Sequence, residues 1–174
     1  AQKWDGVVHK WNITTKTWSD LPALNPLPRY RNSAIAYFPE LGHLVLVNAE
    51  RGVLFFNDST GQWQTIAAAG LPGLDTNGLL AVYNAVTQTV LITGYGSPIH
   101  YRLDASGTIT RMQDAPVKLG ISCSTVVPDP VSGKYLVVSG NICGGNSATA
   151  YAFHEYDIMA DTWRLLWQTG QPNV

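Results

Sequence analysis

One interval governs what this chain can fold into. Three segments recur along it, each an apolar run, a short turn-rich break and a second apolar run. The first begins Ala34-Ile35-Ala36-Tyr37-Phe38 and ends Leu44-Val45-Leu46-Val47-Asn48. The second begins Leu80-Ala81-Val82-Tyr83 and ends Val90-Leu91-Ile92-Thr93-Gly94. The third begins Thr125-Val126-Val127 and ends Tyr135-Leu136-Val137-Val138-Ser139-Gly140. Asn48, Gly94 and Gly140 close the units at intervals of 46 residues. A pair of short apolar runs around a turn reads as a β-hairpin buried on both faces.

A second signal accompanies the hairpins. Trp11-Asn12-Ile13-Thr14-Thr15-Lys16-Thr17-Trp18 recurs as Phe56-Asn57-Asp58-Ser59-Thr60-Gly61-Gln62-Trp63 and as Tyr156-Asp157-Ile158-Met159-Ala160-Asp161-Thr162-Trp163. A weaker copy runs from Tyr101 to Ile109. In each, an aromatic ends one strand, turn-forming Asn, Asp, Ser or Gly follow, and a Trp or Ile opens the next strand. Each unit therefore has four strands, A to D, and the chain is expected to hold 14, with strands A near 33–37, 78–83 and 122–127. No stretch longer than about ten residues has helical periodicity. Repeated four-stranded units of this length are the mark of β-propeller blades. Residues 31–68, 77–115 and 121–168 supply complete blades, whereas 5–22 supply only strands C and D. The expectation is an all-β partial propeller of about three and a half blades. Closed propellers typically have about four to eight. The remaining blades are therefore expected from the parent chain or another subunit.

These residues resemble the Kelch family, whose blades carry a Tyr-Asp-x-x-Thr-x-x-Trp turn. Three of the four copies match it in spacing. Pro28-Arg29-Tyr30-Arg31-Asn32-Ser33-Ala34 matches the family's Pro-Arg-x-x-x-Ser-Ala opening before strand A. The Gly-Gly pair that ends strand B in the family is reduced here to Gly94, Gly140 and, in the first blade, Asn48. The resemblance covers nearly the whole chain and implies the fold. Its usual use is as a binding scaffold. The galactose-oxidase-like copper enzymes share such blades, but their adjacent Tyr-His pair appears here only reversed, as His100-Tyr101.

Composition narrows the function. Eleven Lys and Arg against twelve Asp and Glu give a net charge of -1, with 13% charged residues. That balance leaves no electrostatic footprint for nucleic acid, and no apolar run reaches the roughly 18 residues that span a bilayer. Cys123 and Cys143 fit no zinc spacing, which leaves one disulfide or two buried thiols. The disulfide is the expected state. With the sequons at Asn12 and Asn57, it favours an extracellular or secreted protein over a cytoplasmic one.

In a blade of this kind the D–A and B–C connections share one face, and both sequons fall in C–D turns on the other. The candidate ligand-binding residues on the first face are Tyr30, Arg31, Glu50, Arg51, Tyr95, Asn141 and Asn146. Arg29 reads as a structural donor, and Asp75 and Asn77 as turn residues. Residues 141–149 lengthen the last B–C connection, and loop insertions on rigid scaffolds are frequent sites of function. No nucleophile elbow, phosphate loop or metal-ligand spacing is present in the sequence, and no cofactor is expected. The residues favour a non-catalytic module that binds a protein or a glycan. A fragment of a carbohydrate-active oxidase and a structural subunit of a multi-chain assembly remain as alternatives.

Overall fold

A computed structural model describes residues 9–22, 33–48, 52–57, 59–67, 71–75, 78–121, 123–140 and 151–170. The β-branched and aromatic runs become strands, and the Gly, Asp, Asn and Ser clusters become turns. Among the described residues there are fourteen strands: β1 (His9–Asn12), β2 (Thr17–Asp20), β3 (Ser33–Phe38), β4 (His43–Asn48), β5 (Gly52–Asn57), β6 (Gln62–Ala67), β7 (Leu80–Asn84), β8 (Thr89–Thr93), β9 (His100–Asp104), β10 (Ile109–Arg111), β11 (Ser124–Pro128), β12 (Tyr135–Ser139), β13 (Ala152–Asp157) and β14 (Thr162–Gln168). They form a two-stranded ribbon, β1-β2, and three four-stranded antiparallel sheets in simple chain order, β3 to β6, β7 to β10 and β11 to β14. The only helical element among the described residues is a three-residue 3₁₀ turn at Pro39–Leu41. The inner strands β3 and β7 lie against each other, as do β7 and β11. This is the blade arrangement of a propeller.

The sheets are held by apolar faces pressed together. Ala36, Phe38, Val45 and Val47 of the first sheet meet Val90, Ile92, Tyr101 and Leu103 of the second. Leu91 and Val82 of the second meet Tyr135, Val137, Tyr156 and Val126 of the third. Each fully buried aliphatic side chain contributes roughly 1.5–3 kcal/mol. Polar ties cross the same interfaces. Tyr135 donates its hydroxyl to Val82 O at 3.0 Å, and Asn84 Nδ2 donates to Gly133 O at 2.8 Å.

Every C–D turn has the same local cause. Asn12 Oδ1 accepts from the backbone N–H of Thr14 and Thr15, and Asn57 Oδ1 from Ser59 and Thr60. Asp104 Oδ1 accepts from Ser106 and Thr108, and Asp157 Oδ1 from Met159 and Ala160. These Asx turns correct the alignment of the weak copy. Leu103, not Tyr101, stands where Phe56 and Tyr156 stand. Leu103 pairs with Ile109 as Phe56 pairs with Trp63 and Tyr156 with Trp163.

The third hairpin departs from the 46-residue rule. Leu44 faces Phe56 and Val90 faces Leu103 across strands B and C, but Tyr135, rather than Leu136, faces Tyr156. The interval into the last sheet is one residue short, and a one-residue slip inverts a strand's faces. Tyr135 and Val137 are accordingly fully buried against the second sheet, whereas Val127 and Val138 are 50% and 46% exposed.

Both ends of the stack present apolar surface. At one end the ribbon β1-β2 lies over the first sheet, tied by Trp63 Nε1 donating to Pro22 O at 2.9 Å. Among the described residues β1 pairs only with β2, and all eight ribbon residues are exposed. At the other end the outer face of the last sheet carries Val127, Val138 and Trp167, all exposed. Glu155 borders them between Lys134 Nζ at 2.8 Å and Arg164 Nη2 at 3.1 Å. Those cations, Lys134 first, hold its carboxyl below the usual range.

Candidate binding face

The B–C connection of the second sheet, residues 94–99, is fixed by backbone bonds to the connection that follows β10. Gly96 N donates to Leu119 O at 2.9 Å, Leu119 N to Ser97 O at 3.0 Å and Ala115 N to Pro98 O at 2.9 Å. The anchor beneath is Leu119, fully buried. Two glycines allow this approach. Gly120 has φ +99°, and a Cβ there would stand 2.3 Å from Gly94 O. A Cβ on Gly94 would stand 2.8 Å from Asp75 O. Tyr95 sits on top of this crossing, 38% exposed. A Cβ on Gly78 would stand 3.4 Å from Tyr95 Cβ and 3.5 Å from the Cβ of half-exposed Ile121. Below, Tyr101 donates its hydroxyl to Pro72 O at 2.7 Å. The result is an aromatic side chain on a loop without slack, on the face that collects the D–A and B–C connections.

Of the residues named from the sequence, Tyr95 occupies that face. Tyr30, Arg31, Glu50, Arg51, Asn141, Asn146 and Cys143 lie outside the described residues, as do Arg29 and Asn77. Asp75 is exposed, with its backbone packed against Gly94. Cys123 is buried under the same face, and no free cysteine occurs among the described residues. Its N–H donates to Gly120 O at 3.0 Å, and its own carbonyl accepts from Gly140 N at 3.2 Å. Asn12 and Asn57 head the Asx turns of the opposite end, with Asn12 exposed and Asn57 half-buried.

The histidines separate. His9 Nδ1 meets Asp20 Oδ1 at 2.7 Å on the exposed ribbon. His154, two residues before Tyr156 as His9 is before Trp11, is buried beside Trp163 with ring centroids 6.2 Å apart. His100 is fully buried, and burial lowers its pKa from the ordinary 6.5. At the sequon end, Tyr83 donates its hydroxyl to both Glu40 oxygens, at 2.7 and 2.9 Å. Desolvation and that carboxylate push its pKa up to about 12. No group of three His, Cys, Asp or Glu is placed to hold a metal ion among the described residues.

One feature was not legible in the sequence. A groove of about 510 Å³ opens between the ribbon and the first sheet, lined by His9, Lys10, Leu21, Ile35, Tyr37, Leu44 and Phe56. Tyr37 is 59% exposed in it. The alternation of β3 marks Ile35 and Tyr37 as sharing a face. Only the way the ribbon covers part of that face makes the rest a groove.

No protein-family profile and no curated protein matches this chain. Solved structures do. A GH74 xyloglucanase from Xanthomonas campestris is 17% identical, with a TM-score of 0.54, over 91% of this chain and 26% of its own. An auxiliary nutrient binding protein from Bacteroides thetaiotaomicron is 12% identical, with a TM-score of 0.54, over 95% of this chain and 38% of its own. This chain thus spans about a quarter of the first and less than two-fifths of the second. At these identities the likeness is one of fold. With the stacked sheets described above, it makes this chain an all-β partial propeller of three blades and half of another.

Proposed function

We propose that the chain is a Kelch-type propeller segment that acts as a non-catalytic glycan-binding module through its D–A/B–C loop face. The observation that carries this reading is Tyr95, an exposed ring held on a loop fixed by paired backbone bonds and by two glycines that admit no side chain. A rigid aromatic with a polar tip offers a flat apolar surface to a sugar ring and a hydroxyl to its substituents, at low conformational cost. The fold likeness to a xyloglucanase and a nutrient binding protein supports a carbohydrate over a protein partner. Tyr30, Arg31, Glu50, Arg51, Asn141 and Asn146, which the sequence repeat assigns to D–A and B–C connections, would supply the polar contacts. The reading includes secretion, a Cys123–Cys143 disulfide under the face, and glycans on Asn12 and Asn57 at the far end, where they leave the face free. It also includes completion of the ring by blades of the parent chain or another subunit.

The test is calorimetric titration with a panel of neutral plant and bacterial oligosaccharides, xyloglucan fragments among them. Binding is expected for at least one, and Tyr95→Ala is expected to weaken it about tenfold or more, as loss of a stacking anchor does. A chain that binds no member of the panel, or an alanine variant that binds as tightly as the parent, overturns the reading.

A further inference from the structure

The two sheet interfaces differ in one respect. Six buried side-chain atoms among the described residues lack a protein hydrogen-bond partner: Thr93 Oγ1, His100 Nε2, Arg102 Nε, Ser124 Oγ, His154 Nδ1 and Trp163 Nε1. All six lie between the second and third sheets. Thr93 and His100 are cross-strand partners, and Arg102 follows on the same face of β9, the face that carries Leu91 toward the third sheet. Ser124, His154 and Trp163 share the opposing face with Val126, Val137 and Tyr156. None of the six faces the interface between the first and second sheets.

The rings concentrate around Trp163. His100 stands edge-on to it at 5.6 Å and His154 at 6.2 Å, while Tyr156 stacks on it at 4.3 Å. Trp63, at the same place in the first sheet, gives its indole N–H to Pro22 O; Trp163 has no such acceptor. The donor and acceptor roles can be assigned. His100 Nδ1 is 3.2 Å from Pro98 O. A carbonyl only accepts, so Nδ1 carries the proton and Nε2 presents a lone pair. Trp163 Nε1 and Arg102 Nε can only donate, and the two hydroxyls can do either.

An anion needs donors alone and a metal ion needs acceptors alone. A set that mixes both across a buried seam suits a molecule that donates and accepts at once. We propose that the seam between the second and third sheets is a built site for internal water, with at least one molecule bridging Trp163 Nε1–H to His100 Nε2 and others serving Thr93 and Ser124. Buried waters in proteins take this part, each joining about three otherwise unpaired polar groups. The inner end of the seam lies under the candidate binding face: Thr93 directly precedes Gly94, and Ser124 N donates to Gly120 O at 3.1 Å. The same crossing that holds Tyr95 therefore roofs the water.

A high-resolution crystal structure of the whole chain, grown with bromide, tests this. Expected is ordered density within about 3.2 Å of both Trp163 Nε1 and His100 Nε2, with no anomalous signal. A bromide peak there makes the site an anion site, and a seam in which these atoms bond directly to protein makes it dry; either overturns the proposal. Thr93→Val gives an independent reading in solution. A dry, unpaired hydroxyl replaced by a methyl group raises the melting temperature, whereas loss of a water's anchor lowers it. A lower value is expected, and a higher one sinks the idea. Neither experiment depends on glycan binding.

Discussion

Gly120 is where a single atom decides most. Its φ of +99° is open to glycine and strained for other residues. The 2.3 Å from a would-be Cβ to Gly94 O is a clash with backbone, which no rotamer change relieves. Gly120→Ala is expected to cost roughly 2–4 kcal/mol in chemical denaturation and to loosen Tyr95 with it. A variant as stable as the parent would show that the crossing yields. The sequence marks Gly94 only as the end of a repeat and does not mark Gly120. A close approach between two loops leaves no periodic trace, because each glycine is explained only by the other.

At the scale of elements, the decisive fact is the parity of β12. An even 46-residue repeat sets Leu136 and Val138 against the second sheet. The observed register sets Tyr135 and Val137 there. Lysine scanning separates the two. Val137→Lys is expected to unfold the last sheet, since an unpaired buried ammonium costs more than about 4 kcal/mol. Val138→Lys is expected to stay within about 0.5 kcal/mol of the parent. The opposite ranking in denaturant titrations would refute the register. Strand number, order and turn positions were legible because apolar runs and turn formers repeat. The faces of β12 were not, because Tyr135-Leu136-Val137-Val138 is apolar at every position and carries no alternation to read. Asp104 and Asp157 could have supplied the phase, since both head Asx turns at a fixed distance from the strand C residue that faces strand B.

For the molecule as a whole, acid is the condition that tells most. His100 and His154 are buried, and burial lowers the pKa of each below 6.5. Near His100, Asp161 and Asp114 oppose that shift and Arg111 adds to it. Because the folded chain resists protonation, the unfolded chain takes up protons first as pH falls. Stability is expected to be full above about pH 6.5 and to decline through the range below it, until the folded-state pKa values are reached. Unfolding midpoints that stay level between pH 7.5 and 5 would contradict this. The proposed Cys123–Cys143 disulfide would act across the same region. No thiol is expected to react with alkylating reagent in unreduced protein, and reduction should remove about 3 kcal/mol for a closed loop of about twenty residues. Two alkylated cysteines before reduction would exclude the Cys123–Cys143 pairing. The shortened interval into the third sheet also bears on grafting experiments with this chain. A cassette excised by counting 46 residues and exchanged between the second and third positions would arrive inside out, its apolar side chains turned to solvent. Cut instead at Asn57, Asp104 and Asp157, where the Asx turns keep a common phase, the cassettes would be interchangeable in orientation despite their unequal lengths.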